Sequence, residues 1–249
     1  MRDEDLIEIL HHPVVNKTRY YLAEFLARYF RLRVRGAHHL PKSGPALIVP
    51  NHSGFAGFDV MMICHCLRTS VKRSYKIVAH RAYFDMFQTL RIASQALGFT
   101  EAKLAHAQRA LCDGELLLLF PEGELGNFKS SWNRYQLSPF HTGFVRLAVR
   151  TGAPIIPCIV IGAEESNFNL ANINLSKFID HLVLPIPLNL WPLPAKWTIE
   201  FCPPLDLSEY PKELADDHAW VIKKTKEIQE TMQRDITARL RRRRSVYWG

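Results

Sequence analysis

The sequence contains no run of about 18 uninterrupted apolar residues, the length a membrane-spanning helix needs. Its longest candidate stretch, 182–195 (LVLPIPLNLWPLPA), is broken by prolines. The first ten residues, MRDEDLIEIL, are acidic and lack the apolar core of a secretory leader. A chain of this kind is expected to lie on a membrane rather than cross it, if it meets one. Signature loops are missing too. No G-x-S-x-G nucleophile elbow occurs, which disfavours a serine hydrolase. No G-x-G-x-x-G occurs, and Gly123…Lys129-Ser130 lacks the glycine before lysine that a phosphate loop requires. Cysteine is sparse and odd in number: Cys64, Cys66, Cys112, Cys158 and Cys202, most within apolar runs, read as reduced, buried thiols. Cys64-His65-Cys66 has the wrong spacing for a zinc pair and no second pair follows, so it reads as a buried helix segment and no metal is expected.

What is present is an ordinary globular composition, 47% hydrophobic over 249 residues, with a net charge of +8. A core is affordable, and nothing resembles a linker. The organisation expected is an amphipathic, membrane-surface helical segment at 1–32, an α/β domain at 33–215, and a basic C-terminal helix and tail at 216–249. The basic balance suits nucleic acid, an anionic membrane face or a phosphate-bearing substrate. No nucleic-acid motif is found, so nucleic acid is not an expected partner.

Apolar periodicity predicts a helix over 16–32, with Tyr21, Leu22, Phe25, Leu26, Tyr29 and Phe30 on one face. That face either packs on the domain or sinks into a membrane interface. Strands are predicted at 32–37, 46–50, 75–80, 116–120, 154–163 and 197–201, the last as an edge strand. Helices are predicted at 59–69, 81–97, 102–112, 140–151 and 216–244. Strands alternating with helices imply an α/β fold with a mostly parallel central sheet flanked by helices. In such sheets ligands sit beyond the carboxyl ends of strands. Two polar motifs, NHSGFAGFD at 51–59 and FPEGE at 120–124, follow central strands directly.

His52 at a strand end, seven residues before Asp59, has the parts of a base and its orienting carboxylate. An imidazole titrates near working pH, which suits proton removal from a hydroxyl. The plainer reading is a polar loop in which Asp59 caps the following helix. Glu122, after an all-apolar strand, costs desolvation unless it has a task, and Gly123 permits a sharp turn or close ligand approach. Arg81 and Lys129 are candidate phosphate or coenzyme contacts, with solvated surface charge as the alternative. The tail RLRRRRSVYWG at 239–249 has the makings of an interfacial anchor or of a basic helix end.

Asn51-His52-Ser53-Gly54…Asp59, then Phe120-Pro121-Glu122-Gly123, then Pro154-Ile155-Ile156-Pro157 resemble the ordered blocks of the glycerolipid acyltransferases, relatives of 1-acylglycerol-phosphate acyltransferase. The resemblance spans roughly 33–205. It implies that His52, oriented by Asp59, deprotonates an acceptor hydroxyl. The hydroxyl would attack the thioester of acyl-coenzyme A or acyl carrier protein, with no cofactor. Asn51, Ser53, Gly54, Phe120, Pro121, Glu122 and Gly123 would line the substrate site, and Pro157 would shape the acyl side. Backbone amides near Ser53-Gly54 or Gly123 are candidate oxyanion donors. Two departures stand out. Six residues separate His52 from Asp59 where the family usually has four. The second block, Gly98-Phe99-Thr100-Glu101-Ala102, lacks the arginine that often binds an acceptor phosphate. Lysophosphatidic acid, another lysophospholipid and an uncharged acceptor such as diacylglycerol all stay open. The resemblance further implies peripheral or monotopic attachment on the cytoplasmic face of a bacterial inner membrane. The competing readings are an α/β thioesterase or lipid hydrolase and a non-catalytic lipid-binding scaffold.

Overall fold

The computed structural model describes residues 8–10, 12–53, 57–79, 98–101, 103–127, 129–174, 183–189 and 191–248. The helix expected at 81–97, together with Arg81, and also Gly54, lie outside the described residues.

Short apolar strands pair into one seven-stranded sheet. They are β1 (Arg33–Arg35), β2 (Ala46–Pro50), β3 (Tyr75–Ala79), β4 (Phe99–Glu101), β5 (Leu116–Leu119), β6 (Ile155–Ile161) and β9 (Thr198–Phe201). The spatial order is β1-β9-β6-β2-β5-β3-β4. Every pair is parallel except β6–β9. The fold is therefore α/β with a mostly parallel sheet, as the alternation implies. The stretch expected at the sheet edge is not there: β9 is bonded on both sides, and the charged β1 takes the edge instead. Arginines at 33 and 35 suit an exposed edge, because charge discourages pairing with another chain. A separate antiparallel hairpin, β7 (Asn169–Asn174) with β8 (Val183–Pro187), was not anticipated. Its asparagines and prolines mask the strand pattern.

Because side chains alternate across a strand, the buried strands feed two apolar layers. Ile48, Leu116, Leu118, Ile156 and Val160 pack on one side, against α1 (Pro13–Tyr29) and α2 (Phe58–Ser70). Leu47, Val49, Leu117 and Ile155 pack on the other, against α3 (Leu104–Cys112), α5 (Gly143–Thr151) and α7 (His218–Arg242). Between α3 and α5 lies the short helix α4 (Gly123–Asn127), and α6 (Ala163–Ser166) follows β6. Helix α5 begins three residues later than expected, since 140–142 belong to the loop before it. The predicted helix face at 16–32 is divided. Leu26 and Phe30 are buried, with Phe30 stacked on Trp197 at 4.5 Å between centroids, whereas Tyr21, Leu22 and Phe25 stay exposed. Cys64, His65 and Cys66 lie within α2, and His65 Nε2 sits 3.4 Å from Glu24 of α1. Among the described residues no helix is long and apolar enough to cross a membrane.

Candidate active site

β2 and β5 are neighbours in the sheet, so the segments that leave their carboxyl ends meet. This is the position that open α/β sheets use for ligands. Asn51 continues β2 by one residue. Its side chain donates to the Val160 carbonyl at 3.0 Å and accepts from the Val160 amide at 2.8 Å. These two bonds staple the strand end to β6 and leave the buried amide with a structural task.

His52 follows. Its Nδ1 is 2.6 Å from Asp59 Oδ2, and Asp59 is fully buried in the first turn of α2. A helix N-terminus favours a carboxylate. The Ser53 amide donates to the same oxygen at 2.9 Å, and the Val60 amide donates to Oδ1 at 2.8 Å. With Nδ1 committed to Asp59, Nε2 is the nitrogen left to accept a proton. The His52 side chain is 13% exposed, and its ring lies 4.2 Å from that of Phe120. Six intervening residues therefore still bring base and carboxylate together. The plainer reading of Asp59 as the helix cap does not hold: Gly57 is the N-cap, and Asp59 lies inside the first turn.

Glu122 reaches the same loop from β5. It is fully buried; Oε1 accepts from the His52 amide at 2.9 Å and Oε2 from the Ser138 amide at 2.7 Å. Lys129, a candidate phosphate or coenzyme contact with solvated surface charge as the alternative, is an interior cation with a side chain 7% exposed. Its Nζ is 3.1 Å from Glu122 and 3.5 Å from Glu164. Pro121 is buried, and its carbonyl accepts from the His141 amide at 2.8 Å. Pro157 is buried inside β6 opposite Val49. Two amides proposed as oxyanion donors are already engaged: Ser53 with Asp59, and Gly123 with the Phe120 carbonyl at 3.2 Å.

Several supporting residues were not singled out from the sequence. Gly126 lies one helical turn after Glu122, where a Cβ would sit 2.5 Å from Glu122 Cβ and 2.9 Å from His52 Cβ. From α7, Gln233 accepts from the Leu137 amide and donates to the Tyr135 carbonyl, both at 2.8 Å, and Gln229 donates to the Ser138 carbonyl. The last long helix thus holds the loop that delivers the Ser138 amide to Glu122. Beyond Lys129, Glu164 accepts from the Tyr135 amide at 2.8 Å. The Tyr135 hydroxyl donates to Glu165, which also receives Arg243 at 2.6 Å.

Burial pushes the Glu164 carboxyl up to about 7, against the opposing pull of Lys129. In the folded protein this group holds its proton where the unfolded chain, titrating near 4.5, has lost it. Its contribution to stability is complete below about pH 4.5 and disappears as pH rises to about 7. The full span is on the order of 3 kcal/mol. Urea unfolding between pH 5 and 7.5 should show this decline, and Glu164→Gln should flatten it.

A family model described as acyltransferase matches residues 31–161. An uncharacterized protein of Mycobacterium tuberculosis, Rv0502, is 34% identical, covering 90% of this chain and 66% of that protein, so the chain spans just under two thirds of that relative. A chloroplastic 1-acyl-sn-glycerol-3-phosphate acyltransferase, BAT2 of Brassica napus, is 23% identical over 64% of this chain and 49% of its own length. The crystal structure of the 1-acyl-sn-glycerophosphate acyltransferase PlsC from Thermotoga maritima superposes with a TM-score of 0.60 at 17% identity. It covers 90% of this chain and 80% of PlsC, a likeness of fold. Since the family model covers more than half of the chain and includes both the His52–Asp59 and the Glu122 segments, this chain belongs to the acyltransferase family, as a relative of the glycerolipid enzymes.

Proposed function

We propose that the protein transfers a fatty acyl group from acyl-coenzyme A or acyl carrier protein to the hydroxyl of a lysophospholipid or other glycerolipid acceptor at a membrane surface. The observation that carries this reading is the 2.6 Å contact between His52 Nδ1 and a fully buried Asp59 at the end of a central parallel strand. Nε2 takes the acceptor's proton as its oxygen attacks the thioester carbonyl. Asp59 holds the ring and stabilises the imidazolium that forms. The thiol then leaves as the tetrahedral intermediate collapses, taking the proton from His52. No covalent enzyme intermediate is needed. The Ser53 hydroxyl has no hydrogen-bond partner among the described residues, which gives a serine-nucleophile mechanism no support.

The membrane reading draws on an exposed apolar face. Phe25 stacks on Tyr29 at 6.3 Å, and Tyr29 meets Trp191 edge-on at 6.4 Å. Trp191 is 60% exposed, and Tyr21, Leu22 and Leu188 are exposed as well. Desolvation first, and then the charges of Arg33, Arg243 and Arg31, lower the pKa of Lys196, so cations cluster near this face. Apolar rings flanked by cations suit the interface of an anionic bilayer on the cytoplasmic side, where the donor thioester would be met. Burying each large ring is worth about 1.5–3 kcal/mol. Phe25→Ser with Trp191→Ser should therefore lower partitioning onto phosphatidylglycerol vesicles by on the order of 100-fold in a flotation assay.

Labelled acyl-coenzyme A supplied with lysophosphatidic acid, other lysophospholipids, monoacylglycerol and diacylglycerol tests the reaction. A new acylated lipid, absent with His52→Ala, would identify the acceptor. Silence of the wild-type protein with coenzyme A and carrier-protein donors alike would overturn the enzyme reading.

A further inference from the structure

We propose that Lys129 is a positioning residue for acyl transfer: its buried ammonium keeps Glu122 as the carboxylate that fixes the backbone of His52. The inference rests on the proposed role of His52.

Glu122 is a brace by geometry. One oxygen receives the His52 amide and the other the Ser138 amide, from segments 70 and 16 residues away in sequence. A carboxylate can accept both bonds. A Gln must turn its NH₂ towards one of the two N–H groups, and a protonated Glu offers only a weaker acceptor at its hydroxyl oxygen. The brace is therefore strongest when both oxygens are carboxylate acceptors. An ionised carboxylate with no exposed surface is costly unless it is paired. Lys129, 3.1 Å away and itself buried, supplies the pairing charge.

The network has one cation between two carboxylates, since Lys129 is also 3.5 Å from Glu164. Burial raises the Glu164 carboxyl to about 7, so Glu164 competes only weakly for Lys129 near neutrality. Lys129 also lies nearer to Glu122. The charged group paired with Glu122 is Lys129, with Glu164 behind it; His52 meets it through the backbone amide, and His141 Nε2 lies beside the next residue, Gly123. Glu165, Tyr135 and Arg243 close the far side of the network. Enclosed between the two carboxylates, the Lys129 side chain is only 7% exposed.

The test compares full-length wild type, Lys129→Met and Glu122→Gln in steady-state acyl transfer. Each is also followed by the amide NMR signal of His52 between pH 5.5 and 8.5. Methionine keeps the length of lysine without its charge; glutamine keeps the shape of glutamate. Both variants should lose at least 100-fold in kcat, with KM for donor and acceptor within about threefold of wild type. The His52 amide signal in Lys129→Met should depart from that of wild type in position and in pH profile, because the brace on its N–H is disturbed. A raised KM with kcat preserved in Lys129→Met would make Lys129 a substrate contact and overturn the proposal. So would a His52 amide in Lys129→Met that matches wild type throughout. If Lys129→Met does not fold, Glu122→Gln decides: wild-type kcat there overturns the brace. Should the wild-type protein transfer no acyl group, the functional reading fails, while the amide signal still reports whether Lys129 supports the brace on His52.

Discussion

Replacing His52 by alanine should lower kcat by on the order of 10³-fold and leave KM for the acyl donor within a few-fold. A positioned general base contributes roughly 10²- to 10⁴-fold, and the loss falls on the step in which the acceptor proton moves. The Nε2 atom is the group removed, because Nδ1 already faces Asp59 at 2.6 Å. Asp59→Asn should give a similar loss for a different reason. The carboxylate oxygen facing His52 also receives the Ser53 amide, while its other oxygen receives the Val60 amide. An asparagine can satisfy one side only. With its carbonyl towards His52 it keeps the ring orientation but loses the negative charge that favours the imidazolium. With its NH₂ towards His52 it opposes two N–H donors. Single-turnover measurements with a preformed donor complex would separate this from a binding defect. A His52→Ala enzyme with more than one tenth of wild-type kcat would rule out the base.

Gly126→Ala should be nearly as damaging, although Gly126 touches no substrate in the proposed mechanism. The added methyl would lie 2.5 Å from Glu122 Cβ and 2.9 Å from His52 Cβ, and carbon atoms do not approach so closely. Neither neighbour can retreat cheaply. Glu122 is held by two amides, and His52 is held by Glu122 through its backbone and by Asp59 through its ring. Overpacking of this kind costs about 1–3 kcal/mol in stability. The larger effect is on kcat, because a 1 Å displacement of a catalytic group can cost about 100-fold. Thermal denaturation and kcat measured on the same preparation should show a modest loss of stability beside a loss of about 100-fold in turnover. Wild-type turnover would mean that His52 does not need its observed position.

How much of this was legible in the chain depends on the range of the interactions. ALIVP at 46–50 and LLLL at 116–119 announce themselves as central strands, because a strand buried on both faces has no room for polar residues. The polar motifs after them announce a site, and the order of the blocks resembles the family that the comparisons then show. Asp59 could be matched with His52 because both belong to one strand-to-helix segment. The β7–β8 hairpin was illegible: its strands carry asparagine and proline, and only their pairing with each other defines them. The edge also went to the wrong strand, since WTIEF says nothing about whether Arg33–Arg35 will pair beside it.

The sequence by itself determined the α/β alternation and marked His52 and Asp59 as the candidate base and its orienting carboxylate, all encoded in periodicity and in residues close along the chain. The tertiary structure alone decided what Glu122, Lys129 and Gly126 do. Their partners, His52, Ser138 and Glu164, come from other loops and meet them only when β2, β5 and β6 pair. Whether a charge is solvated or sealed between two carboxylates depends on what surrounds it in space, and no local pattern carries that.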